Sequence, residues 1–144
     1  MSDIFRRELI KVDLESKTRD EVFKELVGTI IAAYPEFNQQ ELVEAILARE
    51  NRMNTAILPG VAVPHGYCRA VGGIIGALGF SRRGINYDCL EPVHWVVMLL
   101  MDNSFPERHL RVLGRLLELL NSESFAAIQA AESSREVYDV LNRF

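Results

Sequence analysis

The hydrophobic pattern of this chain changes period twice, and that change constrains its architecture more than any other feature. From Thr18 to Arg49 the apolar residues recur at helical spacing; from Val61 to Met101 they form short continuous runs; from Pro106 the helical spacing returns. The middle runs, "VAVP", "GGIIGALGF" and "VHWVVMLLM", are separated by Gly, Arg and Asp and read as buried strands. Before them, "TRDEVFKELVGTIIAAYP" sets Glu21 three residues after Thr18, a capping-box arrangement. Val22, Leu26, Ile30 and Ala33 follow at helical spacing, and Pro35 ends the helix. "NQQELVEAILAREN" repeats this grammar, with Asn38 as cap, Glu41 at the third position, and Leu42, Ala45, Ile46 and Arg49 along the turns. After the strands, "SFPERHLRVLGRLLELL" places Ser104 three before Glu107, Pro106 in the first turn, and Leu110, Leu113, Leu117 and Leu120 on one side. "SSREVYDVLNRF" starts a last helix with Ser133 three before Glu136. Two helices, several strands and two or three further helices predict a layered α/β domain. The elements do not alternate strictly, so the sheet is predicted to be mixed.

The 144 residues fit one domain of ordinary size, and no linker, repeat or low-complexity stretch divides residues 1–144. Apolar residues make up 49% and charged residues 25%, the balance of a soluble globular protein. The run Trp95 to Met101 is too short to span a bilayer, so no membrane insertion is expected. The start "MSDIFRRELIKVDL" has no apolar signal segment, and the expectation is a cytoplasmic protein. Cys68 and Cys89 make no disulfide framework. A net charge of −4 argues against nucleic-acid binding. Yet Arg49 to Arg115 contains eight arginines against five acids, and all three lysines lie at or before Lys24. Arginine is the better residue for bidentate recognition of phosphate or carboxylate. This is either a solvated surface or part of an anion site.

"GVAVPHGYC", residues 60–68, raises the functional question. Pro64 cannot donate to a ladder and tends to end a strand. Gly66 is read as clearing a ligand's approach to the backbone. His65, between them, is a candidate reacting group. His109 falls in the first turn of the helix after Pro106, where free N–H groups and the positive dipole end favour a bound anion. The same field disfavours its protonation, so a neutral imidazole is expected there. His94 begins the most apolar strand and reads as an edge histidine whose ring finds a partner.

Three chemistries use such residues. Zinc would draw on His65, Cys68, Cys89 and His94 or His109, but H-x-x-C is a poor finger spacing and no carboxylate cluster supports it. A Cys68 nucleophile would need a histidine partner, and nothing marks an oxyanion hole. Cys68 reads instead as a small buried apolar residue. The third is phosphoryl transfer through histidine, which needs an aligned neutral imidazole and cations around the phosphoryl oxygens. Spacing alone makes this the best of the three.

"TAILPGVAVPHG", the strands ending in "VVMLLM", and "ERHLRVLGRLLELL" resemble the type 2 enzyme IIA domain of the bacterial phosphoenolpyruvate-dependent phosphotransferase system, the fructose, mannitol and nitrogen-regulatory class. The likeness runs from about Ile10 to the end of the chain. It implies a mixed β-sheet sandwiched between helix layers. It implies that His65 carries the phosphoryl group, that His109 packs beside it, and that Arg49, in "L-A-R-E", helps hold the phosphate. Arg52 and Arg108 are weaker candidates, better read as exposed. The resemblance further implies an HPr-like phosphocarrier as donor and a IIB domain or a regulated target protein as acceptor. No cofactor or metal is expected. Ala56, Leu58 and Pro59 stand where freer residues are common in the family, and His94 stands where an acid is common. With no fused permease in the chain, a nitrogen-regulatory protein and a separate sugar-specific subunit are both expected alternatives.

Overall fold

The computed structural model describes Met1–Phe144. In chain order its elements are β1 (Ile10–Lys11), α1 (Arg19–Ala33), α2 (Gln39–Glu50), β2 (Ala56–Leu58), β3 (Val61–Ala62), β4 (His65–Tyr67) and β5 (Ile74–Ile85). They continue with β6 (Val93–Met101), α3 (Pro106–Leu120), α4 (Glu123–Ala130) and α5 (Ser134–Arg143). The sheet runs β1-β5-β6-β3-β2, with β4 also on β6. β5 and β6 are antiparallel, whereas β1 on β5, and β3 and β4 on β6, are parallel. The predicted mixed sheet is therefore present.

β6 explains why "VHWVVMLLM" shows no alternation. Val96, Met98 and Leu100 enter one core with residues of α1 and α2, including Val22, Leu26, Leu42 and Ile46. Trp95, Val97 and Leu99 enter another with Leu116, Leu119, Ile128 and Val137 from α3 to α5. A strand covered on both faces needs apolar residues at every position. The chain is thus one mixed α/β domain, its sheet lying between the helix layers.

Most of the predicted helix signals act as expected. Thr18 accepts from the Glu21 N–H, Asn38 from the Glu41 N–H at 3.0 Å, and Ser133 from the Glu136 N–H at 3.2 Å. α1 stops at Ala33, two residues before Pro35, whose ring disfavours helix in the residue ahead of it. Two expectations for α3 are corrected. Phe105, not Ser104, is the cap residue, with no side-chain cap bond, and the Ser104 N–H that a capping-box Glu107 would take donates instead to Asp102 Oδ1 at 2.8 Å. The buried face holds His109, Leu116, Leu119 and Leu120, while Leu110 and Leu117 are 70% and 43% exposed. No helix is long and apolar enough to cross a membrane.

The segment from Val61 to Tyr67 is one strand interrupted, not a strand ended. Val61 pairs with Trp95 and Ala62 with Val96, and the same register resumes with His65 on Leu99 and Tyr67 on Met101. Across the break, the Pro64 carbonyl accepts from the Leu99 N–H at 2.9 Å, and the Val63 N–H turns away to the Thr55 carbonyl at 2.9 Å. Pro64 thus breaks the ladder for one step without losing the register, and His65 opens the second half.

Gly66 has a different role from the expected one. A Cβ on it would lie 2.4 Å from the Ala45 carbonyl oxygen and 2.7 Å from its carbon. What approaches Gly66 is the backbone of α2, not a ligand. Gly66→Ala is expected to lower the free energy of unfolding in urea by about 1–3 kcal/mol, because helix backbone cannot yield as a side chain can. Gly28→Ala in α1, where an added Cβ meets nothing within 4 Å, is expected to gain about 0.5–1 kcal/mol instead. Equal effects at the two glycines would contradict this packing.

Candidate functional site

Strand alternation puts Gly66 toward α2 and sends His65 and Tyr67 to the opposite side of β4. His65 Nδ1 lies 2.9 Å from the Val63 carbonyl oxygen. A carbonyl only accepts, so Nδ1 carries the proton and Nε2 keeps its lone pair. The ring is half-buried, and burial holds its pKa below the ordinary histidine value. The Val63 bond opposes that shift, the Arg49 charge reinforces it, and the Glu50 charge opposes it. Burial and Arg49 prevail, leaving a neutral ring with a free Nε2.

Tyr67 links this strand to the start of α3. Its ring, 53% exposed, lies 5.6 Å from the His109 ring at a 35° tilt. His109 is only 3% exposed, and its Nδ1 is buried without a hydrogen-bond partner. A proton on that nitrogen would be an unpaired buried donor, so the favoured tautomer protonates Nε2. In that tautomer His109 offers an N–H donor at Nε2. The free backbone N–H groups expected around it are fewer than a helix start allows, with only that of Glu107 left unbonded in the first turn. The N–H groups of Arg108 and His109 both bond to the Phe105 carbonyl, at 3.1 and 3.3 Å.

Arg49 lies in the last turn of α2, where the helix dipole favours a cation. Its Nη1 donates to the Met53 carbonyl at 3.1 Å, which folds the side chain back over the turn that leaves the helix. Because Gly66 packs on Ala45, one helical turn before Arg49, the guanidinium is carried to the β4 side of α2. Arg52 and Arg108 are exposed and form no ion pair. Arg108 and Arg111 border an open hollow of about 580 Å³ at the start of α3, with Phe105 and Glu107. The largest cavity, about 780 Å³ and lined by Phe80, Arg82, Arg83 and Trp95 among others, touches neither His65 nor His109.

The alternatives based on the cysteines are not assembled. Cys68 is buried and donates to Glu41 Oε1 at 3.4 Å, and burial pushes its thiol pKa up, away from nucleophilic use. Cys89 is exposed on the β5–β6 loop and donates to the Glu91 carbonyl at 3.2 Å. No three His, Cys, Asp or Glu side chains are grouped to hold a metal. His94 has the partner expected of it, the Ser81 carbonyl, 2.8 Å from Nδ1. The sequence reading missed Tyr67, whose only signal was its place two residues after His65. It also missed Glu50, buried beside Arg49 and bonded to Thr55.

The candidate site thus combines, within a mixed α/β domain, a strand histidine whose Nδ1 is bonded, a histidine in the first turn of one helix and an arginine in the last turn of another. The family model described as "Phosphoenolpyruvate-dependent sugar phosphotransferase system, EIIA 2" matches residues 3–144, and the chain belongs to that family. It is 32% identical over 146 residues to the PTS system fructose-specific EIIABC component of Bacillus subtilis, covering 99% of this chain but 23% of that protein. It is 28% identical to the Nitrogen regulatory protein of Bradyrhizobium diazoefficiens, covering 98% of this chain and 94% of that one. The crystal structure of Nitrogen Regulatory Protein IIA-Ntr from Neisseria meningitidis superposes with a TM-score of 0.87 at 24% identity, covering 97% of both chains. Enzyme IIA-Mtl of Escherichia coli, in its complex with phosphorylated enzyme IIB-Mtl, superposes with a TM-score of 0.75 at 20% identity, covering 97% of this chain and 99% of that one. These two likenesses establish the fold.

The state of His65 is directly measurable. By ¹H–¹⁵N NMR it is expected to titrate below the ordinary histidine value of about 6.5, with Nδ1 protonated in the neutral form. The folded pKa is depressed, so below about pH 6.5 the unfolded chain takes up a proton that folded His65 resists. Wild type should therefore lose stability relative to His65→Ala as pH falls through that range. A His65 that titrates at or above its ordinary value would contradict this electrostatic balance.

Proposed function

We propose that this chain is a phosphohistidine carrier. His65 takes a phosphoryl group from the phosphohistidine of an HPr-like protein and passes it to an acceptor such as a IIB domain. The observation that carries the reading is the Nδ1 bond of His65 to the Val63 carbonyl, which leaves Nε2 unprotonated in a ring under the positive field of Arg49. The Nε2 lone pair forms the new N–P bond as the donor's N–P bond breaks, and the electron pair of the broken bond returns to the donor nitrogen. The His65 ring gives up one proton and the donor ring takes one up. The loose transition state spreads charge over three phosphoryl oxygens, so it needs alignment and positive or N–H groups more than proton chemistry. Arg49 supplies a guanidinium and His109 its Nε2–H. The step requires no diffusible cofactor or metal.

The surroundings support a shallow site used by proteins. Tyr67, whose ring lies against that of His109, is exposed, as are Phe105 and Leu110 flanking His109 at the start of α3, where Arg108 and Arg111 also stand. A partner's phosphorylated histidine must reach His65, and a deep pocket would prevent it. The relatives divide between a fructose-specific component and nitrogen regulatory proteins, which favours a second reading. In it, the same phosphorylation of His65 acts as a signal that other proteins read, without sugar transport.

Labelled phosphoenolpyruvate, enzyme I and an HPr-type protein test both readings. Wild type should acquire an acid-labile, base-stable label that His65→Ala lacks entirely. His109→Ala and Arg49→Ala should label about tenfold to a hundredfold more slowly. Onward transfer to a sugar-type IIB domain separates the carrier from the regulatory reading. Labelling that survives in His65→Ala would overturn both.

A further inference from the structure

Glu50 follows Arg49 at the end of α2 and is 3% exposed. Its Oε1 accepts from the Thr55 N–H at 3.2 Å, and its Oε2 accepts from the Thr55 hydroxyl at 2.8 Å. The Tyr87 hydroxyl lies 2.9 Å from the Thr55 oxygen. The single Thr55 hydroxyl proton is given to Glu50, so Tyr87 is the donor in that pair. Tyr87 is fully buried, and that burial raises its pKa far above the ordinary phenol value, which keeps its proton in place. Every proton in the network points toward the carboxylate, the arrangement that suits an anion.

No arginine or lysine comes within ion-pair distance of Glu50; the Arg19 charge reaches it from α1, but that guanidinium is paired with Asp20 at 2.9 Å. A buried carboxylate without a paired cation is a poor stabilising device, and an apolar residue of similar volume often serves as well or better. Its field is what an apolar residue would not supply. Burial depresses His65 first of all, but of the charges that reach the ring, Arg49 and Glu50 act in opposite directions.

We propose that Glu50 sets how tightly His65 holds its phosphoryl group. A dianionic phosphoryl group on Nε2 is attracted by the Arg49 guanidinium and repelled by the Glu50 carboxylate, which Thr55 and Tyr87 hold in a fixed position. The repulsion keeps phospho-His65 from becoming so stable that it cannot be passed on. The inference rests on the carrier reading and concerns the same site.

A purely structural role predicts the opposite sign. Glu50 ties Thr55 to the end of α2, and the intervening turn carries the Met53 carbonyl that receives Arg49 Nη1. If this bracing were its only contribution, removing Glu50 would loosen Arg49 and weaken phosphorylation.

The test measures the equilibrium constant for phosphoryl exchange with an HPr-type donor, in wild type, Glu50→Gln, Glu50→Met and Thr55→Val. Both Glu50 variants should shift the equilibrium toward the phosphorylated chain by about threefold to tenfold, and slow onward transfer to an acceptor. Thr55→Val, which keeps the charge, should not shift it in that direction. Independently of any transfer, NMR should show His65 titrating lower in Glu50→Gln than in wild type. An exchange constant unchanged or decreased in the Glu50 variants would overturn the proposal, as would a rise of equal size in Thr55→Val. Loss of the fold in both Glu50 variants would make Glu50 a structural residue and overturn it too. If wild type itself took no label, the carrier reading would fail; a labelled wild type with an unchanged Glu50→Gln would sink only this inference.

Discussion

The contact between Gly66 and the Ala45 carbonyl is the constraint on which the site depends. It lets a strand lie directly on the backbone of α2, at a distance no side chain would permit. Because strands alternate, pressing Gly66 against α2 turns its neighbours His65 and Tyr67 the other way. Because helices repeat in turns, the same contact places Arg49 and Glu50 one turn further along α2. β6 holds the register on both sides of the Pro64 interruption, so His65 is located by pairing on both sides of the break. The fold thus brings residues from β4, α2 and α3 to one end of the sheet.

The chemistry of that end follows from which charges are stable there. Burial and Arg49 prevail over the Val63 bond and Glu50 at His65, leaving a neutral ring with a free Nε2. At His109 the partnerless buried Nδ1 favours the tautomer that carries its proton on Nε2. One histidine therefore offers a lone pair and the other an N–H. Arg49 adds positive charge at His65 and Glu50 opposes it; under the proposed carrier reading, such a site attracts a phosphoryl group without trapping it.

Much of the architecture was legible in the sequence because it rests on local or periodic signals. The unbroken apolar run of β6 announced a strand buried on both faces, and Thr18, Asn38 and Ser133 act as caps within three residues of their partners. Other features depend on contacts that spacing does not encode. Ser104 matched a cap pattern, but the helix starts at Pro106 with Phe105 as its cap, and the Ser104 N–H goes to Asp102 rather than to Glu107. α3 carries so many leucines that several stripes fit, and tertiary packing chose His109, Leu116 and Leu119 over Leu110 and Leu117. Gly66 looked like clearance for a ligand because the approach of α2 cannot be seen from sequence. Glu50 and Tyr87 lie 37 positions apart, with Thr55 between them at no recurring interval, so their network appears only once the chain is folded. The site residues His65, His109 and Arg49 were named through a motif and a resemblance; the structure supplied the tautomers and the balance of charge.

The central claim is that the Val63 bond leaves Nε2 of His65 as the nucleophile. The most direct measurement is ³¹P and ¹⁵N NMR of the protein labelled with ¹⁵N-histidine, phosphorylated by an HPr-type donor. The account predicts a single phosphorus–nitrogen coupling, to Nε2 of His65, with Nδ1 of the same ring uncoupled. Phosphorus bonded to Nδ1 of His65, or to either nitrogen of His109, would contradict it.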